Sequence, residues 1–307
     1  MTGRAEAEAA LRRPAPRRAL SALAADPLLA LGAAVVALAV LLALIGPEIA
    51  PYDPTQATLF IAEPPPPLAD WPALLWASLT GALDRPPHWF GTDASGFDVF
   101  SRVIAAPRID LAIALAANVI SLVLGVLLGL VAGYYTNWAT ALMMRASDVL
   151  QSFPVFISAM ILVALAGRST GNIVLALCLL YTPIYVRLTR AEVLTQRRRG
   201  FVEAARAMGS PELRTALVHV LPNSLAPALI QSSVTIGFAI LLTAGLSFVG
   251  AGVRPPTPEW GLMISTGANQ IILGEWWPSV FPGVAISITV FGFAVLGNAL
   301  ERRYGGH

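Results

Sequence analysis

The 307-residue sequence contains no lysine, and all 20 of its basic residues are arginine. A Walker-type nucleotide loop needs a lysine on the phosphates, so the chain is excluded as an ATPase in its own right. Any ATP-driven step falls to another polypeptide. Charge of both signs is scarce: 12% of residues are charged and 56% hydrophobic, with a mean hydropathy of +0.69. A soluble domain carries about a quarter charged residues, so the composition indicates an integral membrane protein. The single cysteine, Cys178, lies in an apolar run, which excludes an intrachain disulfide and leaves a core-filling role. The three histidines, His88, His219 and His307, all fall outside the apolar runs. A hydrolase working within the membrane needs a nucleophile and a base at matched depth. No H-E-x-x-H pair occurs, and Gly245-Leu246-Ser247-Phe248-Val249-Gly250 is not a G-x-S-x-G elbow.

What is present is a series of apolar runs, the first of which supplies about 20 residues, enough for one span. They cover roughly Pro27–Ile45, Leu111–Gly133, Val149–Ala166, Ile173–Val186, Leu225–Val249 and Val280–Leu300, giving six predicted spans. The first starts late and ends in Gly46-Pro47-Glu48 with no small-residue cleavage pattern, so it reads as a span (27–46) and not a leader. Pro154, Pro183 and Pro227 predict kinks. Gly125 and Gly129 form a small-xxx-small pair that lets two backbones approach closely. Asp110, Asp148 and Arg187 fall near span ends, where capping or headgroup contact is the expected role. A stand-alone secondary transporter, the stronger rival, places such groups within its spans for ion coupling.

Arginine is distributed unevenly between the two sides. With the amino terminus in the cytoplasm, that side holds the tail of residues 1–26 with Arg12, Arg13, Arg17 and Arg18, the cluster Arg197, Arg198 and Arg199, and a 301–307 tail with Arg302 and Arg303. The other side keeps Arg85, Arg102, Arg108, Arg168 and Arg254, as the positive-inside rule expects. The proline-rich 47–108 segment is then extracytoplasmic, and its Trp71, Trp76 and Trp89 are expected at the membrane surface.

One polar stretch, Phe201 to Pro222, interrupts the apolar pattern of the 109–300 region with Glu203, Arg206, Glu212, Arg214 and His219. Glu203 to Met208 has high helix propensity, and Gly209 suits a left-handed helix end. Ser210-Pro211-Glu212 reads as an N-cap, a first-turn proline and an acid near the next helix's positive end. The expectation is a helix-turn-helix knuckle, with small alanines allowing close approach, Met208 and Leu213 as apolar anchors, and a charged rim.

That knuckle resembles the EAA loop of ABC-importer permeases, the pattern falling on Glu203, Ala204, Ala205, Gly209, His219, Leu221 and Pro222, with His219 where isoleucine is usual. His219-x-Leu221-Pro222-Asn223, Gly91–Arg102 (with Phe97 where arginine is usual) and Leu246–Gly261 are similar to the peptide and nickel branch. The resemblance implies an all-α integral membrane fold of the type I importer permease with about six transmembrane helices, five of them in a 109–300 core. It implies a C-type permease subunit in a bacterial inner membrane, pairing with a second homologous permease, two cytoplasmic ATPases and an extracytoplasmic binding protein. The ATPases would bind ATP and Mg; no cofactor is expected in this chain and no nucleic-acid partner. ATPase coupling would fall to Glu203, Ala204, Ala205, Met208, Gly209, Leu213, Leu221 and Pro222. Cargo is peptide or, alternatively, nickel or a metal chelate.

Overall fold

The computed structural model describes residues 26–57 and 62–304; the arginine-rich tail before Asp26 and the last three residues lie outside them. The described residues are helical, with a single isolated bridge, Thr92 to Asp98, as the extended pairing. Helix α1 (Pro27–Ile49) opens on Asp26, whose carboxylate accepts from the Leu28 and Leu29 amides. A short α2 (Trp71–Leu79) and α3 (Val99–Ala105) follow, then α4 (Pro107–Tyr134). Next come α5 (Trp138–Gln151), α6 (Val155–Ala166) and α7 (Thr170–Gln196). Among the described residues five stretches are long and apolar enough to cross a membrane, or six if the pair α5 and α6, bent by 93°, makes one broken span.

That pair corrects the predicted third span. An unbroken Val149–Ala166 helix does not form, because Pro154 disfavours the helical region at Phe153 and stands as the N-cap of α6. The helix before the break starts much earlier than Val149. Asn137 and Thr140 form a reciprocal capping box that nucleates it at Trp138. The first span is also longer than predicted, since α1 continues through Pro47 to Ile49. At the other end of the chain, Glu301–Tyr304 continue the last helix into the expected 301–307 tail.

The remaining helices are α8 (Gly200–Ala207), α9 (Glu212–Arg214), α10 (Leu221–Ser224), α11 (Ala226–Phe248), α12 (Trp260–Ala268) and α13 (Trp277–Tyr304). The most intimate helix pair is α4 with α7. A side chain on Gly125, Gly129 or Gly133 would sit within 3 Å of the Thr182, Val186 or Arg190 carbonyl. The paired glycines therefore act as the sequence predicts, with Gly133 extending the stripe by one more turn.

The spans alternate in direction, which gives the bundle two ends. Asp26 and Arg302 meet at 3.5 Å, so both described termini share one end. The end of α4, the end of α7 and the start of α11 lie there too, with the polar 201–222 stretch. At the opposite end, Arg102 donates to the carbonyls of Pro54, Pro256 and Thr257, tying the segment after α1 to the loop before α12. Arg102 also stacks over Phe97, 4.4 Å from its ring centroid. Asp98 pairs with His88 at 2.7 Å and caps Ser101, while Asp93 holds the turn at Ser95 and Phe97.

Two expectations about charged residues near span ends are corrected here. Asp148 and Arg187 form an ion pair at 2.7 Å between α5 and α7 and are not merely end caps. Asp110 is buried in the first turn of α4, hydrogen-bonded to an equally buried carboxyl, Glu259. Glu259 caps α12 by accepting from Gly261 and Leu262, and Asp110 accepts from the Trp260 amide at 3.3 Å. Burial pushes the Glu259 carboxyl above its ordinary range.

Candidate coupling site

The 201–222 stretch folds as a knuckle. Helix α8 turns Val202 and Ala205 inward, where Val202 packs with Leu130, Tyr134, Val193, Ala216 and Val220. Its end is a Schellman motif: the Ser210 amide donates to Ala205 at 3.1 Å and the Gly209 amide to Arg206 at 2.9 Å. Gly209 sits at φ +80°, and an added side chain would meet nothing within 4 Å. Glycine is therefore required for its backbone angle and not for space. The helix that follows is less regular than predicted. Ser210 makes no side-chain cap, its hydroxyl instead accepting from Thr215 at 3.0 Å. Between α9 and α10 the chain passes through a π-helical segment, Thr215–Val220, that includes His219.

A polar hook ties the knuckle to the spans. Arg206 Nε lies 3.1 Å from Glu212 Oε1, bridging the two arms of the turn. Arg206 also donates to the Tyr134 hydroxyl at 3.2 Å, and that hydroxyl donates to Glu212 Oε2. The Tyr134 hydroxyl first, and then the Arg206 guanidinium, hold the Glu212 carboxyl below its ordinary range. One step away, Arg197 donates to the Gly133 and Tyr134 carbonyls at 3.0 Å each, serving the open end of α4. Arg206 and Glu212 thus bind the knuckle internally and are not the free rim charges that the sequence implied.

The eight expected coupling positions separate into two groups. Glu203, Ala204, Met208, Gly209, Leu213 and Pro222 are exposed. Met208 is 82% and Leu213 64% exposed, and the Glu203 carboxylate makes no hydrogen bond or ion pair among the described residues. Ala205 is buried and Leu221 half-buried against the knuckle-side ends of the spans, so these two shape the knuckle from within. Sequence reasoning missed the hook. Its one local signal is the charge pair Arg206 and Glu212, six residues apart across a glycine turn; Tyr134 comes from far earlier in the chain.

Beside the knuckle, a cleft of about 570 Å³ opens between α7, α11 and α13, with Glu192, Gln196, Gln231 and Glu301 among its lining residues. Gln196 donates to Glu192 at 2.7 Å. Among the described residues no group of three His, Cys, Asp or Glu side chains could hold a metal ion.

An all-helical bundle of membrane length, carrying a hooked helix-turn-helix at the end where both described termini meet, is the arrangement of a membrane protein of the transport-permease class. The model of the binding-protein-dependent transport system inner membrane component family matches residues 125–306, and the chain belongs to that family. It is 40% identical to a di/tripeptide transport system permease protein of Pseudomonas aeruginosa, over 86% of this chain and 83% of the relative. It is 35% identical to a probable D,D-dipeptide transport system permease protein of Escherichia coli K12, over 91% and 87% of the two chains. A glutathione transport system permease protein of Pectobacterium atrosepticum is 37% identical over 70% and 71%. The chain is a multi-pass inner-membrane protein.

Proposed function

We propose that this chain, with a related second permease, forms the membrane pathway of a peptide importer driven by two cytoplasmic ATPases and fed by an extracytoplasmic binding protein. The observation that carries this reading is the knuckle. Met208, Leu213 and Glu203 stand out on an element braced from behind, as suits a surface that must receive force without yielding. An ATPase groove closing on those side chains would move the knuckle as a unit. Motion would pass through the hook into α4, and through α10 into α11. The close packing of α4 on α7 would carry it further, because such a contact transmits displacement with little give. The cleft between α7, α11 and α13 then suits the inner mouth of the pathway. In this assignment the knuckle end is cytoplasmic and ATP and Mg reside on the partner subunits.

Peptide cargo is favoured over nickel because the relatives' names concern dipeptides, tripeptides, D,D-dipeptides and glutathione. The test is uptake by cells that carry this permease with its partners, comparing a labelled dipeptide with nickel. ATP-dependent accumulation of the dipeptide alone supports the reading. Accumulation of nickel alone contradicts it.

A further inference from the structure

We propose that α2 is a second membrane contact: an interfacial anchor whose Leu68, Leu75, Trp76 and Leu79 face lies on the lipid surface at the end opposite the knuckle. The stretch Trp71–Leu79 carries no charged residue, and Asp70 precedes it while Asp84 and Arg85 follow. Leu75, Trp76 and Leu79 fall within about 100° of arc on one helix face. Leu79 at 83% and Trp76 at 70% are among the most exposed apolar side chains of the described residues, with Leu75 at 49% beside them and Leu68 at 77% just before the helix. The half-buried positions Trp71, Leu74 and Ala77 run along one side of that arc. Trp71 donates to the Pro66 carbonyl at 3.1 Å and meets Trp89 edge-on at 5.6 Å.

The place of this face identifies its partner. Both roots of the excursion that carries α2 are pinned to the first residue of a span. The Glu63 amide donates to the Thr92 hydroxyl at 2.8 Å and the Thr92 amide returns to the Glu63 carbonyl at 2.9 Å. The Thr92 carbonyl accepts from Trp277 Nε1 at 2.8 Å, and Trp277 opens α13. Proline-rich chain from Pro64 to Leu68 advances about 3 Å per residue, a reach of roughly 15 Å that keeps α2 beside the bilayer surface. Tryptophan and leucine on one face, with charges only at the flanks, suit the boundary between headgroups and acyl chains.

The test uses the full-length chain in liposomes of phosphatidylethanolamine and phosphatidylglycerol, with Cys178→Ala and one introduced cysteine at a time, Leu79→Cys, Trp76→Cys, Ala73→Cys or Asp84→Cys. Each carries an environment-sensitive fluorophore. Lipids brominated near the headgroup should quench the probe at 79 and 76 about twofold or more, while the probes at 73 and 84 change little. Equal quenching at all four positions, as from an unfolded segment, would overturn the proposal. So would a probe at 79 that lipid leaves unquenched and that only an added extracytoplasmic binding protein shields from water.

Discussion

Arg108 donates Nε to the carbonyl of Ala43 at 3.1 Å, and Ala43 is the residue whose helical donor Pro47 lacks. A proline inside a helix removes the bond to the carbonyl four residues back, and here a side chain from the next span replaces it. The same guanidinium reaches the Leu44 carbonyl at 2.6 Å and Glu48 at 2.8 Å. The apolar run stops at Gly46, and these bonds let the helix continue past Pro47 to Ile49. Arg108→Leu is expected to leave the Ala43 carbonyl unserved, at a cost of about 1–3 kcal/mol. The check is a lower unfolding temperature in detergent together with faster thiol labelling of Ile49→Cys than in the parent chain.

The Asp110 and Glu259 pair leads to a pH prediction. A carboxyl whose folded pKa is raised favours the folded state at low pH, and that contribution is lost as pH rises through the raised value. Glu259 is the group in question, and Ser247 and Asp110 face it. Glu259→Gln removes the titrating group and is expected to flatten the decline in thermal stability above the ordinary carboxylate range, while its NH2 faces one of the two α12 amides and forfeits that cap bond. Glu259→Ala removes the cap of α12 and should lower stability by about 1 kcal/mol or more at every pH. A Gln variant with the parent's full pH slope would contradict the assignment.

Orientation is testable at one exposed residue. Asp84 lies in the 47–108 segment, at the end opposite the knuckle, and the native Cys178 is buried. Asp84→Cys is expected to react with a membrane-impermeant thiol reagent in cells whose outer barrier alone has been opened. Labelling that appears only after the inner membrane is lysed would place the knuckle outside the cytoplasm.

Local chemistry was legible in the sequence and contacts between distant residues were not. The turn at Gly209 and the glycine stripe facing α7 depend on residue types at fixed short spacings, and both appear where the sequence puts them. The start of α5 was missed because its capping residues, Asn137 and Thr140, lie outside any apolar run, while Arg145 and Asp148 dilute the hydropathy of the helix they begin. Asp110 and Glu259 are separated by most of the core, and Tyr134 and Glu212 by 78 residues. Such partners become visible only when α4 is laid against the loop before α12 and against the knuckle. The break at Pro154 was signalled, but a proline alone does not distinguish a kink from a 93° turn.

The central claim is that the knuckle couples ATP hydrolysis on partner subunits to transport through this chain. At Gly209, valine must adopt a left-handed angle that costs about 1–2 kcal/mol, so the turn should relax and move Leu213 relative to Met208. Glu203→Ala should act more mildly, through loss of charge-assisted hydrogen bonds worth about 1.5–3 kcal/mol each. The most direct measurement is recovery of the ATPase subunits with purified permease, read alongside ATP-driven uptake of labelled dipeptide at matched expression. The account predicts that Gly209→Val abolishes uptake and weakens or uncouples the ATPases while the spans still insert, with Glu203→Ala intermediate. Normal ATPase recovery and normal uptake in both variants would contradict it.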